Sequence, residues 1–229
     1  MRDVINPNGL RAMINDIEDS FPYALKLIRD TKEKKVIERL KRMYFSDYLE
    51  KTIAHYSIGD DKQTVCNALL ETITAFEEGF QWKGFKYSYG GYDNMIWMIS
   101  LGILCDIAQT DFERITAILD RDGANDILLS ELIRYKQPSW QASAEPVIQE
   151  HPYASAVNLQ TADDIKQYLN KIWYKGHSDA YWHGLHKNKN VNNYFGYWAW
   201  EAAALAKVRN IDDSSLKNQK YYPYDAVHW

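Results

Sequence analysis

The sequence predicts an all-α protein, a helical bundle in which an N-terminal and a C-terminal helical module pack together. Three observations carry this. Apolar residues recur at spacings of three and four through most of the chain, the period of one face of an α-helix. No stretch shows a competing period-two alternation of the kind a half-buried strand requires. Among 229 residues only 11 are Gly and 6 are Pro, whereas 46% are apolar and 14% aromatic, which leaves long unbroken segments and material for a sizeable core.

Ile37, Leu40, Tyr44 and Tyr48, widened by Phe45, Leu49 and Ile53, predict a helix from about Lys34 to Tyr56, ended by Gly59. Asp60 and Asp61 stand where an N-cap belongs, and Val65, Leu69, Ile73, Phe76 and Phe80 form the next stripe. A short link between two such helices makes a hairpin. The stretch QWKGFKYSYGGYDN reads as a loop by its Gly pair, followed by an apolar helix from near Tyr92. Its most apolar part, Met95 to Ala108, falls short of the ~20 residues of a bilayer span and reads as a central core helix. Thr110 with Glu113 resembles a capping box opening a helix through Leu119, and Gly123 separates it from another running to about Tyr135.

Pro138, Pro146 and Pro152 argue against continuous helix over residues 137–160, which are expected to connect a module of residues 1–136 to one of residues 161–229. Thr161 with Asp164 gives another capping box, and Ile165, Tyr168, Leu169, Ile172 and Trp173 mark the helix behind it. A last helix is expected from Gly196 to Arg209.

Charge is uneven. Residues 1–59 and 151–229 each carry a net +2, and residues 60–150, with 7 Lys and Arg against 15 Asp and Glu, carry −8. An acidic surface repels nucleic acid and attracts basic partners, so direct DNA or RNA binding is not expected. Cys66 and Cys105 lie in apolar helical patterns without metal or redox spacing and read as reduced core thiols. The first residues lack the basic start and apolar run of a signal peptide, and with the reduced thiols this points to the cytoplasm, with no membrane association.

Four sets of residues invite a chemical reading. HSDAYWHGLH places His183 and His186 three apart, with His177 or Asp179 as further ligands, and would make a metal-dependent hydrolase. The spacing matches no strong signature, so aromatic packing is the better reading and no metal or other cofactor is expected. Asp212 and Asp213, followed by Ser214 and Ser215, read as turn caps after a helix ending near Asn210 rather than as a cation site. Trp97, Trp173, Trp182, Trp198 and Trp200 read as core packing, against the alternative of a groove in a peptide-binding adaptor. Glu201, alone among aromatic and alanine residues, has Tyr197, Trp198, Ala204 and Leu205 at helical spacing, so no cation reaches it from its own helix.

The segments RLKRMYFSDYLEKTIAHYSIGDD and YDNMIWMISLGILCDI, and above all NYFGYWAWEAAALAKVRNIDDSS with YYPYD, resemble the PoNi family, immunity proteins of polymorphic nuclease effectors. Gly196, Tyr197, Trp198, Glu201, Asp212, Asp213, Ser214, Tyr222 and Pro223 are among the positions that match. The resemblance implies a cytosolic, all-helical protein without catalysis of its own, which binds and neutralises a co-produced DNase toxin. Glu201 is then expected to be scaffold, accepting hydrogen bonds from backbone or aromatic donors and holding the DDSS turn against its helix. A nuclease presents a basic surface to DNA, so the acids of the middle segment are the expected binding face: Glu77, Glu78, Asp106, Asp111, Glu113, Asp120, Asp122 and Asp126.

Overall fold

The computed structural model describes residues 6–82, 89–187 and 193–229. Ten α-helices and no strand occur among them. The chain divides into two compact units. One runs to Phe80 and includes Gly184–Gly196, and the other comprises Gln81–His183 and Tyr197–Trp229.

The first unit is built on α1 (Pro7–Asp30), α2 (Lys34–Ile58) and α3 (Lys62–Gly79). Asn6 caps α1 by accepting from the Gly9 N–H at 3.2 Å, and Pro7 starts it where a missing N–H costs nothing. Gly59, at φ 89°, supplies the left-handed turn that closes α2, and Asp61 caps α3 by accepting from Thr64 N–H at 2.8 Å. The stripe read from the sequence is the core: Val65, Leu69, Ile73, Phe76 and Phe80 are buried with Phe45, Leu49 and Ile53. The α2–α3 seam is so close at one point that a Cβ on Gly79 would strike the Lys41 carbonyl.

The second unit is centred on α4 (Tyr89–Leu104), where Met95, Ile96, Met98, Ile99, Leu101, Ile103 and Leu104 are all fully buried. Among the described residues no helix is long and apolar enough to cross a membrane. Part of the expected QWKGFKYSYGGYDN loop, residues 83–88, lies outside the described residues. From Tyr89 onward that stretch is helical, so α4 begins earlier than its apolar pattern suggests. α5 (Gln109–Asp122) also begins earlier than expected. Its N-cap is Ala108, whose carbonyl accepts from Asp111 and Phe112 N–H, which puts Thr110 inside the first turn and leaves no capping box there. Gly123 ends α5 at φ 67°, and α6 (Ile127–Lys136) follows.

Residues 137–152 carry no helix and Tyr153–Asn158 form a 3₁₀ turn. The Thr161–Asp164 capping box is present and opens α7 (Ala162–Tyr168), which runs through a π turn, Leu169–Trp173, into α8 (Tyr174–Gly176). α9 is shorter than expected, Trp200–Val208, because Gly196 sits at φ 112° and the Ala199 N–H is taken by the Tyr221 carbonyl. α10 (Tyr224–Val227) closes the chain. Arg209 ties these pieces together: its guanidinium donates to both Glu131 carboxylate oxygens on α6 and to the Val157 and Leu159 carbonyls.

Candidate functional site

The eight carboxylates expected to form a binding face differ in what holds them. Glu77 and Glu78 belong to the first unit and the other six to the second. Glu77 is exposed, and Glu78 pairs with Lys41 at 3.4 Å. Asp106, on a left-handed residue behind α4, pairs with Lys136 at 2.7 Å, and Asp111 pairs with Arg114 at 3.1 Å. Asp122 is nearly buried, gripped by the Arg121 guanidinium and accepting from Trp82 N–H at 2.6 Å. Glu113 and Asp120 are exposed on α5 and make no ion pair among the described residues; the Glu113 carboxylate accepts from the neutral Gln109 amide.

Asp126 is not a surface residue at all, and its place in the acidic face is corrected. It is fully buried as the N-cap of α6. Oδ1 accepts from Leu128 and Leu129 N–H at 2.9 and 2.8 Å, and Oδ2 accepts from the Tyr92 hydroxyl at 2.7 Å and Ile148 N–H at 3.0 Å. Burial pushes its pKa up, opposed by these four donors. Nothing in an acidic run of sequence distinguishes a buried cap from solvated neighbours.

Glu201 is fully buried in the first turn of α9. Tyr168, on α7, donates its hydroxyl to Oε1 at 2.9 Å, whereas Oε2 has no hydrogen-bond partner. Burial raises the carboxyl pKa to about 7, opposed by the charge of His177 and reinforced by that of Asp93. The aromatic donor is as the sequence implied, but it comes from α7 and not from the DDSS turn. That turn is held otherwise. Asp212 caps Ser214 N–H at 3.0 Å, which lowers its own pKa, and Asp213 accepts from Tyr222 at 2.7 Å and pairs with His228 at 2.9 Å.

Sequence reasoning missed the rest of the buried polar cluster. Asp93, at the start of α4 and fully buried, accepts from the Tyr153 hydroxyl at 2.6 Å and the Trp182 indole N–H at 3.0 Å. His177 donates Nδ1–H to the Trp173 carbonyl at 2.7 Å. Its Nε2 lies 3.1 Å from the Tyr153 hydroxyl oxygen, which joins His177 to the Asp93 pair. The legible signal was a polar spacing, Asp93 and Ser100 seven apart, on the most apolar helix of the chain.

The histidines of HSDAYWHGLH are dispersed. His177 is buried in the Asp93 cluster, His183 stacks on Tyr174 at 4.2 Å, and His186 lies in a 3₁₀ turn of the first unit near Tyr194. No helix spans the stretch, so His183 and His186 share no helical face. Among the described residues no three His, Cys, Asp or Glu form a group that could hold a metal ion.

Two family models together match most of the chain. "PoNe immunity protein (PoNi), N-terminal" covers residues 15–117, and "PoNe immunity proteins (PoNi), C-terminal" covers residues 124–226. The chain belongs to the PoNi family. Glu201 and the Asp212–Asp213 turn fall within the C-terminal PoNi match, Asp93 within the N-terminal one. The fold is also that of protein PA2201 from Pseudomonas aeruginosa, a crystal structure superposing at a TM-score of 0.67 with 16% identity, over 96% of this chain and 86% of that one. No individually curated protein matches the PoNi chain.

Proposed function

We propose that this PoNi chain is a cytoplasmic immunity protein that binds a cognate secreted DNase toxin and neutralises it without catalysis of its own, protecting the producing cell and its kin. The family match over residues 15–226 supports the immunity role. One structural observation supports neutralisation by binding: Glu201, His177, Asp93 and Asp126, four groups suited to acid–base chemistry, are fully buried and engaged in holding helices together. What reaches solvent is a surface for contact. Glu113 and Asp120 on α5 and the exposed Glu77, with Asp106 and Glu78 beside their cationic partners, supply negative charge toward a basic DNA-binding surface, and such complementarity raises association rates.

Co-expression with the neighbouring gene's product tests this. Rescue of growth together with co-purification of the two proteins is expected, and genomic DNA should stay intact in the rescued cells. A toxin that kills without degrading DNA removes the DNase reading, and rescue without a stable complex removes neutralisation by binding.

A further inference from the structure

The α1–α2 hairpin is clamped at one end and bare at the other. At the clamp, Phe21 stacks on Tyr48 at 4.2 Å and meets Tyr44 edge-on at 4.9 Å. The buried Lys51 ammonium lies against Phe21 and Tyr48 and pairs with Glu71 at 2.8 Å and Glu18 at 3.4 Å. Toward the α1–α2 turn the hairpin buries nothing fully: no residue from Asn15 to Tyr44 is buried. Tyr23 is 66% exposed, Met43 51%, Leu25 45%, Val36 37% and Leu27 36%, an unusual gathering of large apolar side chains in water.

The same stretch is basic. From Lys26 to Arg42 there are eight Lys and Arg against Asp30, Glu33 and Glu38, net +5, in a chain whose total is −4. Lys34 leans on Glu38 at 3.9 Å and Lys41 on Glu78 at 3.4 Å. Lys26, Arg29, Lys32, Lys35 and Arg39 make no ion pair among the described residues. On α2, Val36, Arg39 and Met43 recur at three and four, so aliphatic and cationic groups share one exposed stripe.

Charge narrows what can sit there. A second copy pairing hairpin to hairpin sets +5 against +5, and on a second copy's α5 Glu113 and Asp120 are the acids without a cation among the described residues. Nucleic acid uses the cations but gains nothing from four aliphatic side chains, and the chain's overall charge opposes it. An anionic membrane meets Asp30, Glu33 and Glu38 among the cations and finds no Trp anchor between residues 15 and 44. A protein surface with aliphatic groups ringed by Asp and Glu satisfies both components at once. Resting on the immunity role above, we propose that the α1–α2 hairpin docks an acidic, aliphatic-bearing surface of the cognate toxin, a contact made by different residues from the carboxylates directed at its DNA-binding surface.

Interferometry with catalytically inactivated toxin tests the contact, using wild type, Lys35→Glu/Arg39→Glu and Val36→Ser/Met43→Ser, each first shown to melt like wild type. None of the four residues is buried, so both variants should fold. Each is expected to weaken toxin binding by about tenfold or more. The charge reversal should also flatten the salt dependence, and the serine variant should leave it unchanged. Variants that both bind within about twofold of wild type overturn the proposal and leave the immunity reading standing. A wild-type chain that neither binds nor protects removes the immunity reading itself, and the hairpin assignment with it. Sedimentation of the chain alone, titration with duplex DNA and flotation with phosphatidylserine vesicles cover the other occupants. A dimer, a DNA complex or vesicle binding that both variants abolish assigns the hairpin elsewhere and overturns the proposal.

Discussion

Glu201 couples the stability of the fold to pH. Its carboxyl is fully buried with one donor, Tyr168, and a pKa raised to about 7 from 4.5. The sign follows from proton counting. The folded state binds the proton more tightly than the unfolded chain, so this group's contribution is present below about pH 4.5 and is lost as pH rises through 7. His177, Asp93, Tyr92, Tyr153 and Tyr168 are the other titratable groups of the cluster, and the loss is on the order of 3 kcal/mol across that window. Glu201→Gln should therefore show a shallower fall in Tm between pH 5 and pH 8 than wild type, whatever constant cost the amide brings. Glu201→Ala should lower stability at pH 5 by roughly 1–3 kcal/mol, because it strands the Tyr168 hydroxyl and leaves a void, while affinity per folded molecule stays near wild type. A variant that melts like wild type but cannot protect would give Glu201 a direct role in binding. The sequence showed Glu201 to be partnerless on its own helix. It could not show Tyr168 thirty-three positions away, because only packing brings α7 and α9 together.

Among the elements, caps were readable where sequence and helix register coincide. Asp61, Gly59, Gly123 and the Thr161–Asp164 box all do what their residue types favour. Thr110 and Glu113 have the same spacing as Thr161 and Asp164, yet α5 starts at Gln109 and the pattern falls one step inside it. Asp126 was the costlier misreading, since a cap and a surface charge look alike in a run of acids. Its replacement by Ala should destabilise the fold by about 2–4 kcal/mol, measured by chemical denaturation, through loss of the α6 cap and exposure of four unsatisfied donors. A close helix crossing makes another demand. Gly79→Ala must push its Cβ into the Lys41 backbone or part α2 from α3, so it should destabilise by about 1–3 kcal/mol where an exposed helix Gly→Ala would stabilise.

At the scale of the whole molecule, the all-α architecture was legible because a 3.6-residue period persists across nearly every segment. The charge asymmetry was legible as a sum but not as a surface. Of the net −8 in residues 60–150, Asp93 and Asp126 are buried, and Asp106, Asp111, Asp122 and Glu131 face cations supplied by the fold. Glu113 and Asp120 are what remains of the expected face on α5. Reversing both to Lys should slow association with the toxin several-fold and flatten its salt dependence in stopped-flow measurements, with little change in Tm because both are solvated. An unchanged rate at two ionic strengths moves the contact off α5.

The bare hairpin bears, finally, on how such a protein can change over generations. A residue in the α2–α3 core or the Asp93–Glu201 cluster is constrained by several neighbours at once, so most substitutions there cost stability before they alter any partner's affinity. At exposed positions of the hairpin such as Lys35, Val36, Arg39 and Met43 those constraints are fewer. Substitutions on this surface can accumulate, one exposed side chain at a time, with helix propensity as the main constraint. If the hairpin is where the toxin docks, an immunity protein whose target drifts has there a surface free to diverge, carried by a scaffold that is not.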